Sequence, residues 1–373
     1  MGLTPSLTHA QRLVVKIGSA LVVDSANATP RAAWLDCVAT DIATLRARGV
    51  DVIVVSSGAI ALARPVLGLR RKRLRLEEKQ AAAAVGQIQL AQAWSHALSA
   101  KGLTAAQLLL TPDDTEDRRR YLNARATLNT LLGLGCIPVI NENDTVATAE
   151  IRFGDNDRLA ARVAEMVQAD QLILLSDIDG LYTADPKRDP AAEHIPVVEV
   201  LTPEIEAMGG EPPPGYSSGG MRTKLVAARI ATQAGCAMAI AIGNTAHPLA
   251  ALEAGARCTW FLPAPEGRNA RKRWIAGSLS PLGTYSVDAG AARALAAGRS
   301  LLPAGVRAVQ GAFNRGDAVI VQGPDGAPLA RGLSAYASED AQRIAGHRSD
   351  RIEAILGWRG RDEIIHRDDL VLL

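Results

Sequence analysis

The sequence is poor in aromatic residues, which make up 3% of its 373 residues. So few rings argue against a broad stacking surface for single-stranded nucleic acid. Four cysteines are present, Cys37, Cys136, Cys236 and Cys258, and none of them belongs to a CxxC pair. This spacing gives little support to a zinc site or a disulfide framework, and it fits a reducing compartment.

Long apolar runs and a strong net charge are also missing. No stretch reaches the ~18 uninterrupted apolar residues of a transmembrane helix, and residues 1–12 contain no signal-peptide core. Lysine and arginine total 41 against 39 aspartate and glutamate, which leaves a net charge of +2. Such a balance provides no general attraction to nucleic acid or to an anionic membrane. The composition therefore predicts a soluble, cytoplasmic protein, long enough for two domains.

Short apolar runs alternate with longer helical stretches over residues 1–262. The runs that we predict as strands are 13–17, 52–55, 107–110, 137–140, 172–175 and 237–242. Strands this apolar, separated by helices, indicate a parallel sheet covered by helices on both faces. Ligands of such folds bind beyond the carboxyl ends of the strands.

The pattern changes near residue 263. Prolines, glycine and a run of basic residues predict a linker over 263–280. Beyond it the elements are shorter, and a turn at 323–326 joins two predicted strands, 317–322 and 328–333. We therefore predict a first domain over 1–262, a small β-rich domain over 281–360 and a C-terminal tail over 361–373.

Two lysines lie where a phosphate would bind. Lys16 ends the first strand, and the backbone N–H groups of Gly18 and Ser19 could approach an anion there. A glycine-rich stretch at 218–220 precedes a helix with Lys224 in its first turn, an arrangement that attracts anions through the helix dipole. The alternatives are a solvated lysine at a strand end and a flexible glycine turn.

Two short loops, NEND at 141–144 and GDND at 154–157, are rich in carboxylates and amides. They have three plausible uses: capping a helix, as Asp155 or Asn156 would do, binding an amino-group substrate, or organising lysines or magnesium. Simple turns and caps explain one of the two loops but not both.

Taken together, these segments resemble the amino acid kinase family and, within it, the glutamate 5-kinase branch. The resemblance covers nearly the whole chain, and its segments are VVKIG (14–18), SSGAI (56–60), NEND, VATAEI (146–151), GDND, GLYTADP (180–186) and GGMRTK (219–224). LLPAG (301–305), GD (316–317) and ARGLS (330–334) resemble parts of a PUA domain. The resemblance implies a three-layer α/β/α sandwich with a mainly parallel sheet, followed by a small β-rich PUA domain.

The resemblance also implies an activity. It is the transfer of the γ-phosphoryl group of ATP to the γ-carboxylate of L-glutamate, which yields L-glutamyl 5-phosphate in the first step of proline biosynthesis. Mg²⁺ would be held mainly by the ATP phosphates, with no direct protein ligand. A homo-oligomer, either a dimer or a tetramer, and feedback inhibition by L-proline are further expectations.

By the same resemblance, Lys16 and Lys224 would neutralise charge on the transferred phosphoryl group, and Asp157 would hold the two lysines in place. The glutamate-binding residues would be Ser57, Gly58, Asn141, Asp144 and Asn156. Asp144 would meet the α-ammonium, whereas Ser57 and Asn156 would donate to a carboxylate. The nucleotide-binding residues would be Lys16, Gly18, Ser19, Ser176, Asp177, Ser218, Gly219, Gly220, Met221, Arg222, Thr223 and Lys224.

Two other functions compete with this one. A sibling kinase would act on another carboxylate, carbamate or phosphate acceptor, and the NEND, VATAEI and GDND segments argue against it. An RNA-binding or RNA-modifying protein would use the PUA-like domain. The near-neutral charge and the few aromatic residues weigh against RNA, although recognition of RNA by shape needs few rings.

Overall fold

The computed structural model describes residues 5–24, 26–69, 74–146, 156–210, 220–264 and 280–373. The chain divides into two units, Met1–Arg268 and Asn269–Leu373, and each has its own apolar core. Of the predicted linker at 263–280, only residues 263, 264 and 280 are among the described ones.

The strands of the first unit are β1 (Arg12–Ile17), β2 (Val23–Asp24), β3 (Thr29–Pro30), β4 (Asp51–Ser56), β5 (Ala105–Leu110), β6 (Ile137–Glu142), β7 (Gln171–Ser176), β8 (Leu181–Tyr182), β9 (His194–Ile195), β10 (Val197–Val198), β11 (Ala237–Ile242) and β12 (Cys258–Phe261). Its helices are α1 (Ser19–Val22), α2 (Ala32–Ala47), α3 (Ala59–Val66), α4 (Leu76–Ser99), α5 (Pro112–Glu116), α6 (Arg118–Gly133), α7 (Asn156–Val167), α8 (Pro203–Ala207), α9 (Met221–Gln233) and α10 (Pro248–Glu253).

The central sheet has the strand order β10-β12-β11-β7-β1-β4-β6-β5. Neighbouring strands run parallel except β11 and β12, which are antiparallel. Strand β1 lies between β4 and β7, with Lys16 opposite Val55 on one side and Leu174 on the other. The carboxyl ends of β1, β4, β6 and β7 therefore meet at one edge of the sheet.

Alternate side chains of the central strands face opposite layers of helices. On β1, Leu13, Val15 and Ile17 join the core that contains α2 and α4. Val14 joins the other core, which contains α7 and α9. Lys16 follows the alternation of Val14, so the strand directs its side chain toward the layer of α7 and α9.

The second unit is a small β-rich fold. Its elements are β13 (Gly283–Val287), α11 (Ala289–Ala296), β14 (Val306–Gly311), β15 (Ala318–Gln322), β16 (Pro328–Leu333), α12 (Ser338–Ile344), α13 (Ile352–Leu356) and β17 (Leu370–Leu372). The strand order is β14-β13-β15-β16-β17, and β17 pairs antiparallel with β16. Residues 361–373, which the sequence analysis set apart as a tail, thus contribute a strand to this sheet.

The predicted architecture is confirmed: helices cover both faces of a mainly parallel sheet, and a separate small β-rich unit follows. The sequence analysis did not predict the edge strands β10 and β12 of the central sheet, the short pairs β2-β3 and β8-β9, or the strands β13, β14 and β17 of the second unit. Among the helices that the structure describes, none is long and apolar enough to cross a membrane.

Candidate active site

Three charged side chains meet beyond the end of β1. The Asp157 carboxylate lies in the first turn of α7, and its Oδ1 is 2.7 Å from Lys16 Nζ. Its Oδ2 is 3.1 Å from Lys224 Nζ, and Lys224 lies in the first turn of α9. Thr223 Oγ1 donates to the same Oδ2 over 2.8 Å. We call Lys16 and Lys224 the lysine pair, and Asp157 is the carboxylate that they share.

Both lysines and the carboxylate are buried, with exposed fractions of 7%, 4% and 1% for Lys16, Lys224 and Asp157. Burial alone would raise the pKa of Asp157. The two ammonium groups, with hydrogen bonds from Lys16 and Thr223, outweigh burial and lower the pKa of Asp157 to about 2. The carboxylate is therefore ionised at neutral pH, and two positive charges beside one negative charge give a local net charge of +1.

Backbone at two turns borders the lysine pair. Gly18 follows β1, and a Cβ built at Gly18 would lie 3.8 Å from Lys16 Nζ. Gly220 is the N-cap of α9, and Met221 and Arg222 begin that helix. The free N–H groups of this thirteen-residue helix and its dipole favour an anion at this end. Ser218 and Gly219 lie outside the described residues.

A chain of amide hydrogen bonds lies beside the carboxylate. Asn156 Nδ2 donates to Ser57 Oγ over 2.5 Å and to Asn141 Oδ1 over 2.9 Å. Asn141 Nδ2 in turn donates to Gln87 Oε1 over 2.9 Å. We call Gln87, Asn141, Asn156 and Ser57 the amide chain. It joins α4, β6, α7 and the turn after β4, and it adjoins the lysine pair because Asn156 precedes Asp157.

The role predicted for Asn156 from the sequence is donation to a ligand carboxylate. Both Nδ2 hydrogens of Asn156 are used within the amide chain, while its Oδ1 is buried and has no hydrogen-bond partner among the described residues. Ser57 Oγ accepts from Asn156, which leaves the hydroxyl proton of Ser57 for donation to a ligand. The site thus offers one acceptor and one donor side by side.

Backbone contacts fix the position of the turn that carries Ser57. Ser57 N donates to the carbonyl of Ile17 over 3.0 Å, which attaches the end of β4 to the end of β1. Gly58 has φ +130°, and a Cβ there would lie 3.2 Å from Val23 Cγ2. A glycine is needed at this position because other residues rarely adopt this backbone conformation.

Asp144 forms an acidic position in the loop after β6. Only 9% of Asp144 and 8% of Glu142 is exposed. Burial, the largest cause, and the charge of Glu142 together raise the pKa of Asp144 to about 7, although the charge of Lys79 on α4 acts to lower it. Asp144 is therefore poised to change charge near neutral pH.

Ser176 and Asp177 lie at the end of β7. Ser176 follows Leu175, which is opposite Ile17 on β1, so Ser176 comes at the level of Gly18. Ser176 Oγ donates to Asp177 Oδ1 over 3.2 Å, and Gly243 N donates to the Ser176 carbonyl over 2.7 Å. Asp177 and the nearby Ser19 are both exposed.

Sequence reasoning missed two residues of α4. Gln87 belongs to the amide chain, and Lys79 acts on the charge of Asp144. Both lie inside a long helix, away from the loops that follow the strands, so the sequence patterns used to predict the site did not point to them. Thr223 was predicted only for the nucleotide, whereas here its hydroxyl also contacts Asp157.

Comparison with known protein families identifies the family to which this chain belongs. The model of the amino acid kinase family matches residues 11–243, and that of the PUA domain matches residues 283–356. This chain belongs to the amino acid kinase family. The family match spans the lysine pair, the amide chain and Asp144, and the second match falls within the β-rich unit. The expected resemblance to the family, with a C-terminal PUA domain, is confirmed.

Three curated relatives of this amino acid kinase show how close the likeness is. The protein of Gluconobacter oxydans is 66% identical, and the alignment covers 99% of this chain and 97% of the relative. The protein of Paramagnetospirillum magneticum is 64% identical, and the alignment covers 98% of this chain and 99% of the relative. That of Paracoccus denitrificans is 63% identical, over 99% of each chain. All three are named glutamate 5-kinase.

The acidic residues of this kinase do not form a metal site among the described residues. In the described ranges, no group of three or more His, Cys, Asp and Glu side chains is placed to hold a metal ion. Asp157 has both carboxylate oxygens engaged by ammonium groups, so it already serves as a counterion to the lysines.

The lysine pair predicts a specific stability defect. Asp157→Asn removes the negative charge that both buried ammonium groups share, so we expect the free energy of unfolding to fall by about 3–5 kcal/mol. Urea denaturation at pH 7 measures it. Adding Lys224→Met to Asp157→Asn removes one of the two repelling charges and should recover part of the loss. A double variant less stable than Asp157→Asn would contradict this account of the charges.

Proposed function

We propose that this amino acid kinase transfers the γ-phosphoryl group of ATP to the γ-carboxylate of L-glutamate, giving L-glutamyl 5-phosphate in the first step of proline biosynthesis. The observation that carries the proposal is the buried lysine pair, whose net positive charge suits a transferring phosphoryl group. The adjoining amide chain and Asp144 suit the polar headgroup of an amino acid. The name shared by relatives that are 63–66% identical supports glutamate as the acceptor.

The acceptor needs no general base. A glutamate side chain has an ordinary pKa near 4.3, so its γ-carboxylate is already ionised at neutral pH. In the proposed step, a γ-carboxylate oxygen attacks the γ-phosphorus of ATP, the new O–P bond forms, and the β,γ-bridging P–O bond breaks. ADP leaves with the electron pair of that bond. Catalysis then depends on alignment and on stabilisation of negative charge.

The lysine pair would supply that stabilisation. Lys16 and Lys224 approach from β1 and α9, so they can contact different oxygens of the phosphoryl group. Asp157 would act as a positioning residue, because its ionised carboxylate lies within 3.1 Å of both ammonium groups and holds them close together. Ammonium groups held in place before the reaction need little reorganisation in the transition state.

The amide chain and Asp144 would bind the α-carbon end of glutamate. Ser57 would donate its hydroxyl proton to the α-carboxylate, together with the N–H of Gly58. Asn156 would accept from the α-ammonium through its buried Oδ1. Asp144 would pair with the same ammonium group, and Asn141 would hold Asn156 in place.

The nucleotide would lie along the ends of β1 and β7 and the start of α9. The residues proposed for it, besides the two lysines, are Gly18, Ser19, Ser176, Asp177, Ser218, Gly219, Gly220, Met221, Arg222 and Thr223. Mg²⁺ would be held by the ATP phosphates, because Mg²⁺ gives up its water reluctantly and Asp157 is committed to the lysines. When bound, Mg²⁺ neutralises phosphate charge.

Other expectations stay predictions. They are a homo-oligomer, inhibition by L-proline, and domains bounded at 1–262 and 281–360. Location in the cytoplasm is also proposed, and it is supported by four cysteines that are all free of disulfides. RNA binding by the PUA domain is an alternative role, and mobility shift with tRNA at low salt would test it.

The acceptor assignment can be tested by trapping the acyl phosphate with hydroxylamine. We expect ATP-dependent hydroxamate from L-glutamate, and much less from aspartate, N-acetylglutamate or carbamate. Lys224→Met is the control that should lose the signal through kcat. A clear preference for one of the other acceptors would show that the glutamate assignment is wrong.

The pKa of Asp144 predicts how glutamate binding depends on pH. An ammonium group pairs with the ionised carboxylate, and the pKa of about 7 leaves most Asp144 protonated below pH 7. The KM for glutamate should therefore rise as the pH falls from 8 to 6, by up to about tenfold per unit at the acid end, because binding releases one proton.

Steady-state kinetics over this range measures the effect, with the KM for ATP as the internal control. Lys79→Met removes the cation that lowers the pKa of Asp144, so the midpoint of the KM profile should move to higher pH. A KM for glutamate that is constant from pH 6 to 8 would contradict the role given to Asp144.

A further inference from the structure

The helix α4 approaches the substrate side of the site more closely than its sequence suggests. Its Gly86 faces the start of α3, and a Cβ there would lie 1.7 Å from the carbonyl oxygen of Ala59. Any larger residue would push the helix away. Because Ala59 comes two residues after Ser57, this contact brings the next residue of α4, Gln87, within reach of the amide chain.

Gln87 determines which end of each side-chain amide in the amide chain donates and which accepts. Its Oε1 accepts from Asn141 Nδ2, so the Oδ1 of Asn141 must point the other way, toward Asn156. That oxygen takes one Nδ2 hydrogen of Asn156, and Ser57 Oγ takes the second. Since an amide has one accepting end and one donating end, fixing the first amide fixes the others.

Asn156 and Ser57, at the end of the amide chain, present one hydrogen-bond acceptor and one donor to the site. Asn156 presents a buried Oδ1 that has no partner in the part of the chain that the structure describes. Ser57, whose oxygen already accepts a hydrogen bond, presents its hydroxyl proton. An acceptor beside a donor matches an ammonium and a carboxylate on one carbon atom, which is the headgroup of an α-amino acid.

We propose that Gln87 is a positioning residue that selects for the α-amino group of the substrate by fixing the amide orientations of Asn141 and Asn156. This inference rests on the proposed function, because it assigns glutamate to the site. Without an acceptor at Gln87, the Asn141 amide is free to rotate and to present Nδ2 to Asn156. Asn156 then turns a donor toward the substrate ammonium, and the selectivity is lost.

Three full-length variants test the proposal. Gln87→Met removes the acceptor at nearly constant length, and Gln87→Glu retains an accepting oxygen. Gln92→Met makes the same chemical change at an exposed position of α4. For each variant we would measure kcat, the KM for ATP, and kcat/KM for glutamate and for glutarate, which lacks the amino group.

Gln87→Met should raise the KM for glutamate by about five- to tenfold, the worth of one hydrogen bond in a buried site. Its preference for glutamate over glutarate should fall by a similar factor, while the KM for ATP stays within about twofold. Gln87→Glu should keep the preference, and Gln92→Met should behave like the unmodified enzyme.

Three results would overturn the proposal. The first is a Gln87→Met enzyme with an unchanged preference for glutamate over glutarate. The second is an equal loss of kcat with both substrates, which a general structural defect would cause. The third is a Gln87→Glu enzyme as defective as Gln87→Met. If the unmodified enzyme phosphorylates no glutamate, the proposed function itself fails, and that outcome is distinct from all three.

Discussion

The Asp157 carboxylate lies within 3.1 Å of two ammonium groups in the buried space where β1, α7 and α9 meet. Burial of an ammonium group is costly, and the Asp157 carboxylate offsets part of that cost for both Lys16 and Lys224. One carboxylate shared by two lysines keeps a net positive charge, which two separate ion pairs would cancel. The rest of the site is arranged around this shared charge.

The fold brings these three residues together by simple means. Alternation along β1 directs Lys16 toward the helical layer of α7 and α9, and each helix contributes its first turn. Helix starts offer free N–H groups, so the same edge of the sheet attracts an anion through backbone as well as side chains. The overall net charge of +2 gives no hint of this local arrangement.

Much of this was predictable from the sequence, for identifiable reasons. The sheet followed from apolar runs separated by helices, and Lys16, Asp157 and Lys224 stand next to turns where parallel strands meet ligands. Gln87 was not predictable, since its role depends on a contact between α3 and α4 that brings together distant parts of the chain. The same holds for the short antiparallel strand β12, whose four residues carry little periodic signal.

The central claim is that both lysines act on the phosphoryl group while Asp157 holds them. A crystal structure with ADP, Mg²⁺, glutamate and aluminium fluoride, which mimics the group in transfer, tests it most directly. The account predicts that Nζ of Lys16 and Nζ of Lys224 both contact the fluoride mimic and both remain paired with Asp157. A structure in which either lysine lies away from the mimic, or in which Asp157 releases one of them to bind the metal ion, would contradict it.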